Sequence, residues 1–124
     1  MTSPADSFPE RFGAARAVAA GDRVLVGGTL PVEDGVLLGE GDPYEQTRAA
    51  FARALSALRA YGLGAEAVVR TRVHLVHERD LDEAARAHRE LFAGVRPAAT
   101  ALVVAGLADT RALVEVELEA YRGS

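Results

Sequence analysis

The chain has 124 residues, a formal net charge of −4 and a hydrophobic content of 49%. This length favours one domain with an ordinary hydrophobic core, and the acidic balance argues against a nucleic-acid-binding protein, which usually carries a basic patch. Cysteine and lysine are both absent, which excludes thiolate nucleophiles, disulfides, thiolate metal sites and a Schiff-base lysine.

The N-terminal segment is polar and lacks the apolar core of a signal peptide. Nowhere does the sequence approach the ~18 consecutive apolar residues that a membrane-spanning helix needs. We therefore predict a cytoplasmic protein with no membrane partner. Residues 1–12 are predicted to form a flexible N-terminal tail, and residues 13–124 one domain.

The first predicted strand is Arg23–Val26, which follows a turn at Gly21-Asp22. It closes on Gly27-Gly28. Glycines within a strand mark a bulge or a place where another group approaches the backbone closely. A short strand, Val36–Leu38, follows the next turn.

The first long helix has clear start and stop signals. Asp42 is the predicted N-cap, Pro43 the first helical residue, and Glu45 completes a capping box. Gly62 lies where a C-terminal glycine belongs. The predicted apolar face comprises Tyr44, Thr47, Phe51, Ala54, Leu55, Leu58 and Tyr61.

The second half of the chain begins with Val68–Val76, which is rich in β-branched residues and predicts a strand. A second helix is predicted to start at an Asp80 cap, with Glu83 three residues on, and to end at Gly94. The residues predicted to share its apolar face are Leu81, Ala84, His88, Leu91 and Phe92.

Two further strands complete the pattern, Thr100–Val104 and Leu113–Tyr121. The last strand alternates strictly between apolar and mostly charged residues, so one of its faces is buried. The order of strands, helix, strand, helix and strands predicts an α+β fold in which both helices cover one face of a mixed sheet. The uncovered face favours self-association.

Five segments resemble motifs of a known family, and they occur in the same order and at the same spacing as in that family. They are Gly21–Pro31, Gln46–Arg48, Val68–Val73, Arg96–Thr100 and Val114–Glu117. In these segments the chain resembles the RidA (YjgF-type) family, with its glycine-rich opening, its Q-T-R, V-V-K-T and P-A-R-S motifs and its closing I-E-I-E strand. It looks like a subgroup that lacks the arginine of P-A-R-S.

The resemblance implies an α+β fold similar to one class of chorismate mutase, assembled as a homotrimer around a central barrel. It implies that a small-molecule metabolite binds in a cleft at each subunit interface. Deaminases of this family hydrolyse imino or enamine acids to keto acids and ammonia, and they need neither metal nor organic cofactor.

The resemblance also assigns the candidate catalytic residue. Glu115 matches the family's glutamate that activates water, which is chemistry that a carboxylate can perform. The alternative interpretation is that Glu115, Glu117 and Glu119 form the solvated face of an alternating strand, and for Glu117 and Glu119 this is the preferred one. Because like charges on one face repel, at least one should have a partner or point into a cleft.

The substrate-binding half of the site departs from the family. Ala99 stands where the deaminases have the arginine that holds the substrate carboxylate, a task suited to a guanidinium fork. Arg96 and Arg16 are candidate replacements. The residues expected to line the cleft through their backbone are Gly28, Thr100 and Ala101.

The three histidines do not predict a metal site. His74 and His77 are three residues apart on or just after a strand, so they point to opposite faces of a regular strand. His88 lies on the apolar face of the second helix. We interpret them as surface or cleft-edge residues.

Two functions stay open from the sequence. The first is an imine or enamine hydrolase of altered specificity, and the alternative is a non-catalytic trimer that binds a metabolite or a partner protein. A specialised tautomerase or hydrolase role is a third possibility that no residue selects. A nuclease role has little physical support in an acidic chain without a basic track.

Overall fold

The structure of the protein is a computed structural model that describes residues 8–123. Its helices are α1 (Phe8–Phe12), α2 (Pro43–Arg59) and α3 (Leu81–Leu91). Its strands are β1 (Ala17–Ala20), β2 (Arg23–Thr29), β3 (Val32–Glu33), β4 (Val36–Leu37), β5 (Val68–Leu75), β6 (Ala98–Val103) and β7 (Val114–Tyr121). Short 3-10 turns precede β5 and α3, at Ala65–Ala67 and Glu78–Asp80.

Five strands form one sheet in the order β1-β2-β7-β5-β6. All neighbours are antiparallel except β5 and β6, which run parallel because α3 crosses over between them. Strands β3 and β4 form a separate two-stranded ribbon. The predicted α+β fold with a mixed sheet is therefore confirmed.

The long helices α2 and α3 pack against one another, and α2 covers β7 and β2. On β7 the apolar residues are buried and the glutamates are half-buried, as the alternation predicts. On β5 the helix-facing residues are Thr71, Val73 and Leu75. We call the other side of the sheet the open face; it carries Arg70, Arg72, His74, Glu115, Glu117 and Glu119.

The helix starts differ in detail from the predicted caps. Asp42 Oδ1 accepts a hydrogen bond from the Glu45 backbone N–H at 3.1 Å, but the Asp42 N–H donates to the Gly39 carbonyl rather than to Glu45. The predicted capping box is thus half formed. Asp80 occupies the N-cap of α3 without a capping hydrogen bond from its side chain, because the preceding 3-10 turn holds its backbone in a helical conformation.

Gln46 links α2 to the strand that carries Glu115. Its side chain is fully buried, and its Oε1 accepts a hydrogen bond from the Leu113 backbone N–H at 2.7 Å. In the sequence Gln46 is recognisable only as part of a motif, because a glutamine interrupts rather than extends an apolar face. Its place in the structure is that of a core residue which satisfies a backbone donor just before β7.

A Gln46→Ala variant is expected to lose about 1–3 kcal/mol of unfolding free energy, because the Leu113 N–H loses its acceptor in a buried place. Urea unfolding followed by circular dichroism measures this loss. The control is Arg48→Ala, which removes an exposed ion pair to Glu90 and should cost less than about 1 kcal/mol. Equal losses in both variants would contradict the role given to Gln46.

The predicted N-terminal tail lies mostly outside the described residues, which begin at Phe8. Phe8–Phe12 forms one helical turn with no buried residue, and the flexibility of residues 1–12 stays a prediction. Within residues 8–123, none of the helices combines the length and apolar character required to cross a membrane. The cytoplasmic location also stays a prediction.

Candidate functional site

A glycine pair interrupts the pairing of β2 with β7 and brings the backbone against Glu115. The register shifts between Val26 and Thr29, which is a β-bulge at Gly27-Gly28. A Cβ atom built on Gly28 would lie 3.0 Å from both Cδ and Oε2 of Glu115. The two features predicted for the glycine pair, a bulge and the close approach of another group to the backbone, are therefore both confirmed.

Glu115 has a carboxyl group whose surroundings disfavour its charge. Burial raises its pKa above the ordinary value, His74 acts in the opposite direction, and Glu117 raises the pKa further. His74 is the register partner of Glu115 on β5. A carboxyl with a raised pKa exchanges its proton closer to neutral pH, which is a property of general acid–base groups.

Glu117 has partners of its own on the open face. Arg72 Nη1 donates to its Oε1 at 2.9 Å, and His74 Nε2 lies 3.7 Å from its Oε2. Glu117 therefore belongs to a charge cluster, in keeping with its interpretation as a residue of the strand's polar face. Glu115 alone of the three strand glutamates lies against the bulge.

Ala99 faces the opposite side of the sheet. In the parallel pairing Thr71 lies beside Ala99 and Val73 beside Ala101, so Ala99 and Ala101 point toward the helices, as their partners do. Strand β6 starts two residues earlier than predicted, so Ala99 lies within it. A pocket of about 200 Å³ opens here between α3 and β6; it is lined by Val73, Leu81, Ala84, Ala85, His88, Ala99, Thr100 and Ala101.

His88 is the one titratable residue in the lining of this α3–β6 pocket. Its Nε2 lies 2.8 Å from the Thr71 Oγ1, and its ring packs against Phe51 and Phe92. Burial lowers its pKa, so the imidazole is neutral at neutral pH. The sequence predicts His88 on the apolar face of α3 but does not predict its pairing with Thr71, since no sequence pattern joins one residue on α3 to another on β5.

The remaining predicted binding residues are dispersed. The hydroxyl of Thr100 accepts a hydrogen bond from Arg70 Nη2 at 2.9 Å, on the open face. The Arg16 carbonyl accepts from the Gly27 N–H at 3.0 Å, which places the backbone of Arg16 beside the bulge. Arg96 is exposed in the turn before β6, with a left-handed φ of 55°.

One chain thus carries two separate halves of the predicted site. Gly28 and Glu115 meet on the open face, whereas Ala99 and Ala101 line a pocket on the helix face. The sheet itself lies between them, so the two halves of a single chain do not face a common ligand. Among residues 8–123, no group of three or more histidine and carboxylate side chains could hold a metal ion.

Comparisons with known proteins find similarity along nearly the whole chain. Residues 10–122 match the family model described as endoribonuclease L-PSP. An uncharacterized protein of Streptomyces coelicolor is 60% identical over 117 residues, which cover 94% of this chain and 87% of that protein.

Solved structures give the same result. A Mycobacterium tuberculosis member of the YjgF/YER057c/UK114 family superposes with a TM-score of 0.83 at 33% identity, covering 98% of this chain and 97% of that chain. A Yersinia pestis protein of the conserved Rid family shares the fold, with a TM-score of 0.80 at 24% identity over 86% of each chain.

Proposed function

Since the chain belongs to the YjgF/RidA family, we propose that it hydrolyses imines or enamines, with Glu115 as the residue that activates water. The observation that carries this proposal is the half-buried Glu115 carboxyl, held against the Gly28 bulge. Its raised pKa suits a group that must take up and return a proton in each cycle.

The proposed reaction balances without an external oxidant or reductant. Glu115 accepts a proton from water as the water oxygen forms a bond to the imine carbon, and it passes this proton to the imine nitrogen, which gives a carbinolamine. Glu115 then accepts the hydroxyl proton as the carbonyl group forms and the carbon–nitrogen bond breaks. This second proton goes to the departing nitrogen, which leaves as ammonia, and the carboxylate is restored.

We further propose that the site is completed by a second copy of the chain in a homotrimer with a central barrel. The separation of Glu115 from the α3–β6 pocket by the sheet supports this, because Glu115 of one copy could then face the pocket of a neighbour. Strand β6 is also an edge strand, and unpaired apolar edges are common sites of association. Its exposed apolar residues are Ala98, Ala99, Ala101, Leu102 and Val103.

Because of Ala99, the substrate specificity of this chain is expected to differ from that of the family's deaminases. With alanine in place of arginine, the pocket lining offers no guanidinium to hold a substrate carboxylate. The substrate specificity should therefore differ from that of enzymes with the arginine. The small-molecule metabolite at the subunit interface and the absence of a nucleic-acid partner stay predictions.

The proposal is tested by ammonia release from imines generated in place by an amine oxidase or an amino-acid oxidase, together with the molar mass in solution from light scattering. We expect a trimer and a rate above the buffer control for at least one imine. The proposal would be contradicted if no imine from either kind of oxidase were hydrolysed faster than in buffer. A monomer in solution would also contradict it.

The glycine pair offers a matched test of the bulge. Gly28→Ala should displace the Glu115 carboxyl by a few tenths of an ångström and lower the hydrolysis rate by about tenfold, because the reacting groups must be held in a precise geometry. Its stability should change by less than about 1 kcal/mol, because the obstructing atoms are the end of a flexible side chain. Gly27→Ala is the control, since its Cβ would meet only the Arg16 carbonyl oxygen, at 3.8 Å; equal rates in both variants would refute the assignment.

A second candidate function is a trimer that binds a metabolite without turnover. The absence of any cationic residue from the pocket lining favours it, because the anchoring half of the family's reaction is missing. This alternative predicts thermal stabilisation by a ligand with no ammonia release. A Glu115→Gln variant would then change ligand binding at most.

A further inference from the structure

The lining of the α3–β6 pocket carries no formal charge at neutral pH. Six of its eight residues are hydrocarbon: Val73, Leu81, Ala84, Ala85, Ala99 and Ala101. A carboxylate that entered this pocket would give up hydration without gaining a cationic partner, and an unpaired charge in apolar surroundings is costly. The chemistry of the pocket wall therefore selects against anions.

No arginine of residues 8–123 belongs to the lining of the α3–β6 pocket. Arg70 directs its guanidinium to the Thr100 hydroxyl on the open face, and Arg96 lies in the exposed turn before β6. Neither belongs to the pocket lining. The alanine at position 99 is thus not compensated by another guanidinium of the same chain within this pocket.

His88 supplies a polar group that suits an uncharged ligand. The Thr71 hydroxyl holds Nε2, and Phe51 and Phe92 restrict the ring from two sides. Nδ1 is then the nitrogen left to serve a ligand. Burial disfavours the imidazolium form. The neutral ring can form a hydrogen bond with a carbonyl or imine group, but it carries no positive charge to neutralise a carboxylate.

We propose that the α3–β6 pocket binds a small uncharged carbonyl or imine compound, with His88 as its hydrogen-bonding residue. If the chain hydrolyses imines as proposed above, this ligand class identifies the substrate as the imine of an aldehyde or ketone without a neighbouring carboxylate. In this respect the inference rests on the proposed function. Binding itself does not depend on turnover, so the two can be tested apart.

Pyruvamide and pyruvate are a matched pair of probes, because they share a skeleton and differ in charge. Binding is followed by the chemical shifts of the His88 imidazole in nitrogen-edited NMR spectra. Wild-type protein should bind pyruvamide at least about tenfold more tightly than pyruvate, since the pocket leaves the carboxylate unpaired. In Ala99→Arg, which restores a guanidinium, this preference should reverse.

His88→Phe tests the hydrogen bond, because phenylalanine fits among Phe51 and Phe92 but offers no nitrogen. We expect this variant to keep its fold by circular dichroism and to bind pyruvamide about tenfold more weakly, as the loss of one hydrogen bond would do. Its binding is followed by the ligand's own NMR signals.

Three results would overturn the inference. They are equal or tighter binding of pyruvate by wild-type protein, no binding of either probe because another copy's side chain fills the pocket, and an Ala99→Arg variant whose preference is unchanged. Pyruvamide binding without ammonia release from any imine would instead reject the proposed function and leave the pocket assignment intact. Turnover of keto-acid imines together with preferred binding of pyruvate would reject the pocket assignment alone.

Discussion

A Glu115→Gln variant is expected to hydrolyse imines at least about a hundredfold more slowly than wild-type protein, and to be more stable at neutral pH. The loss of rate follows from removing the proposed proton acceptor, a group that contributes about a hundredfold or more. The gain in stability follows from burial, because the folded protein holds the Glu115 carboxylate in surroundings that raise its pKa.

The sign of the pH dependence follows from the direction of that shift. The folded protein binds a proton at Glu115 more tightly than the unfolded chain, in which the carboxyl has its ordinary pKa of 4.5. The favourable contribution of the protonated carboxyl is complete below the unfolded pKa and is lost as the pH rises through the folded pKa. The advantage of Glu115→Gln should therefore grow across this window and disappear in acid.

Thermal unfolding of both proteins from acidic to neutral pH measures this effect, and a difference of a few degrees is expected at neutral pH. Glu119→Gln is the control, because it removes the same charge from the same strand face away from the Gly28 bulge. A Glu115→Gln variant that is less stable than wild type at neutral pH would show that the carboxylate has a stabilising partner in the assembled protein.

Phe51→Ala should lower the free energy of unfolding by about 3–5 kcal/mol, the cost of removing a large buried aromatic side chain. Phe51 is fully buried and packs edge-on against Phe92 with ring centroids 5.2 Å apart. It lies in the centre of the layer between α2, α3 and the sheet. Such a loss is a large share of the roughly 5–15 kcal/mol that stabilises a typical domain.

Urea unfolding gives this loss as a shift in midpoint at an unchanged slope. The matched control is Phe12→Ala, which removes the same side chain where it is 74% exposed and should cost less than about 0.5 kcal/mol. A loss below about 1 kcal/mol for Phe51→Ala would contradict the packing described here. Because Phe51 also contacts His88, the variant should weaken pyruvamide binding as well.

Local signals in the sequence predicted most of the secondary structure. The Asp42-Pro43 start, the glycine at position 62 and the strict alternation of residues 113–121 identify α2 and β7 because each element has its own period and end signals. Strand β1, at Ala17–Ala20, was not predicted. It is a short edge strand of small residues, and its identity depends on pairing with β2 rather than on a pattern of its own.

The site was predictable in parts. The glycine pair indicated a bulge or a close approach, because only a residue without a side chain tolerates another group at that distance. The resemblance to the family identified Glu115 as the candidate catalytic residue, and Gly28 was expected to line the cleft, but their contact appears only in the structure. Neither the local sequence signals nor the resemblance predicted the contact between Thr71 and His88. It joins side chains whose neighbours in sequence give no sign of it.

The amino-acid sequence by itself determined the family, the order of elements and the presence of alanine at position 99, because these depend on residue identity and spacing alone. Only the tertiary structure decided which face of the sheet each residue occupies. It placed Glu115 on the open face and Ala99 beside α3 on the other, since Glu115 pairs with His74 and Ala99 with Thr71. His74 and Thr71 are three residues apart on β5 and therefore point to opposite faces of the sheet. Strand pairing between distant segments thus separates the Glu115 carboxyl from the α3–β6 pocket within one chain.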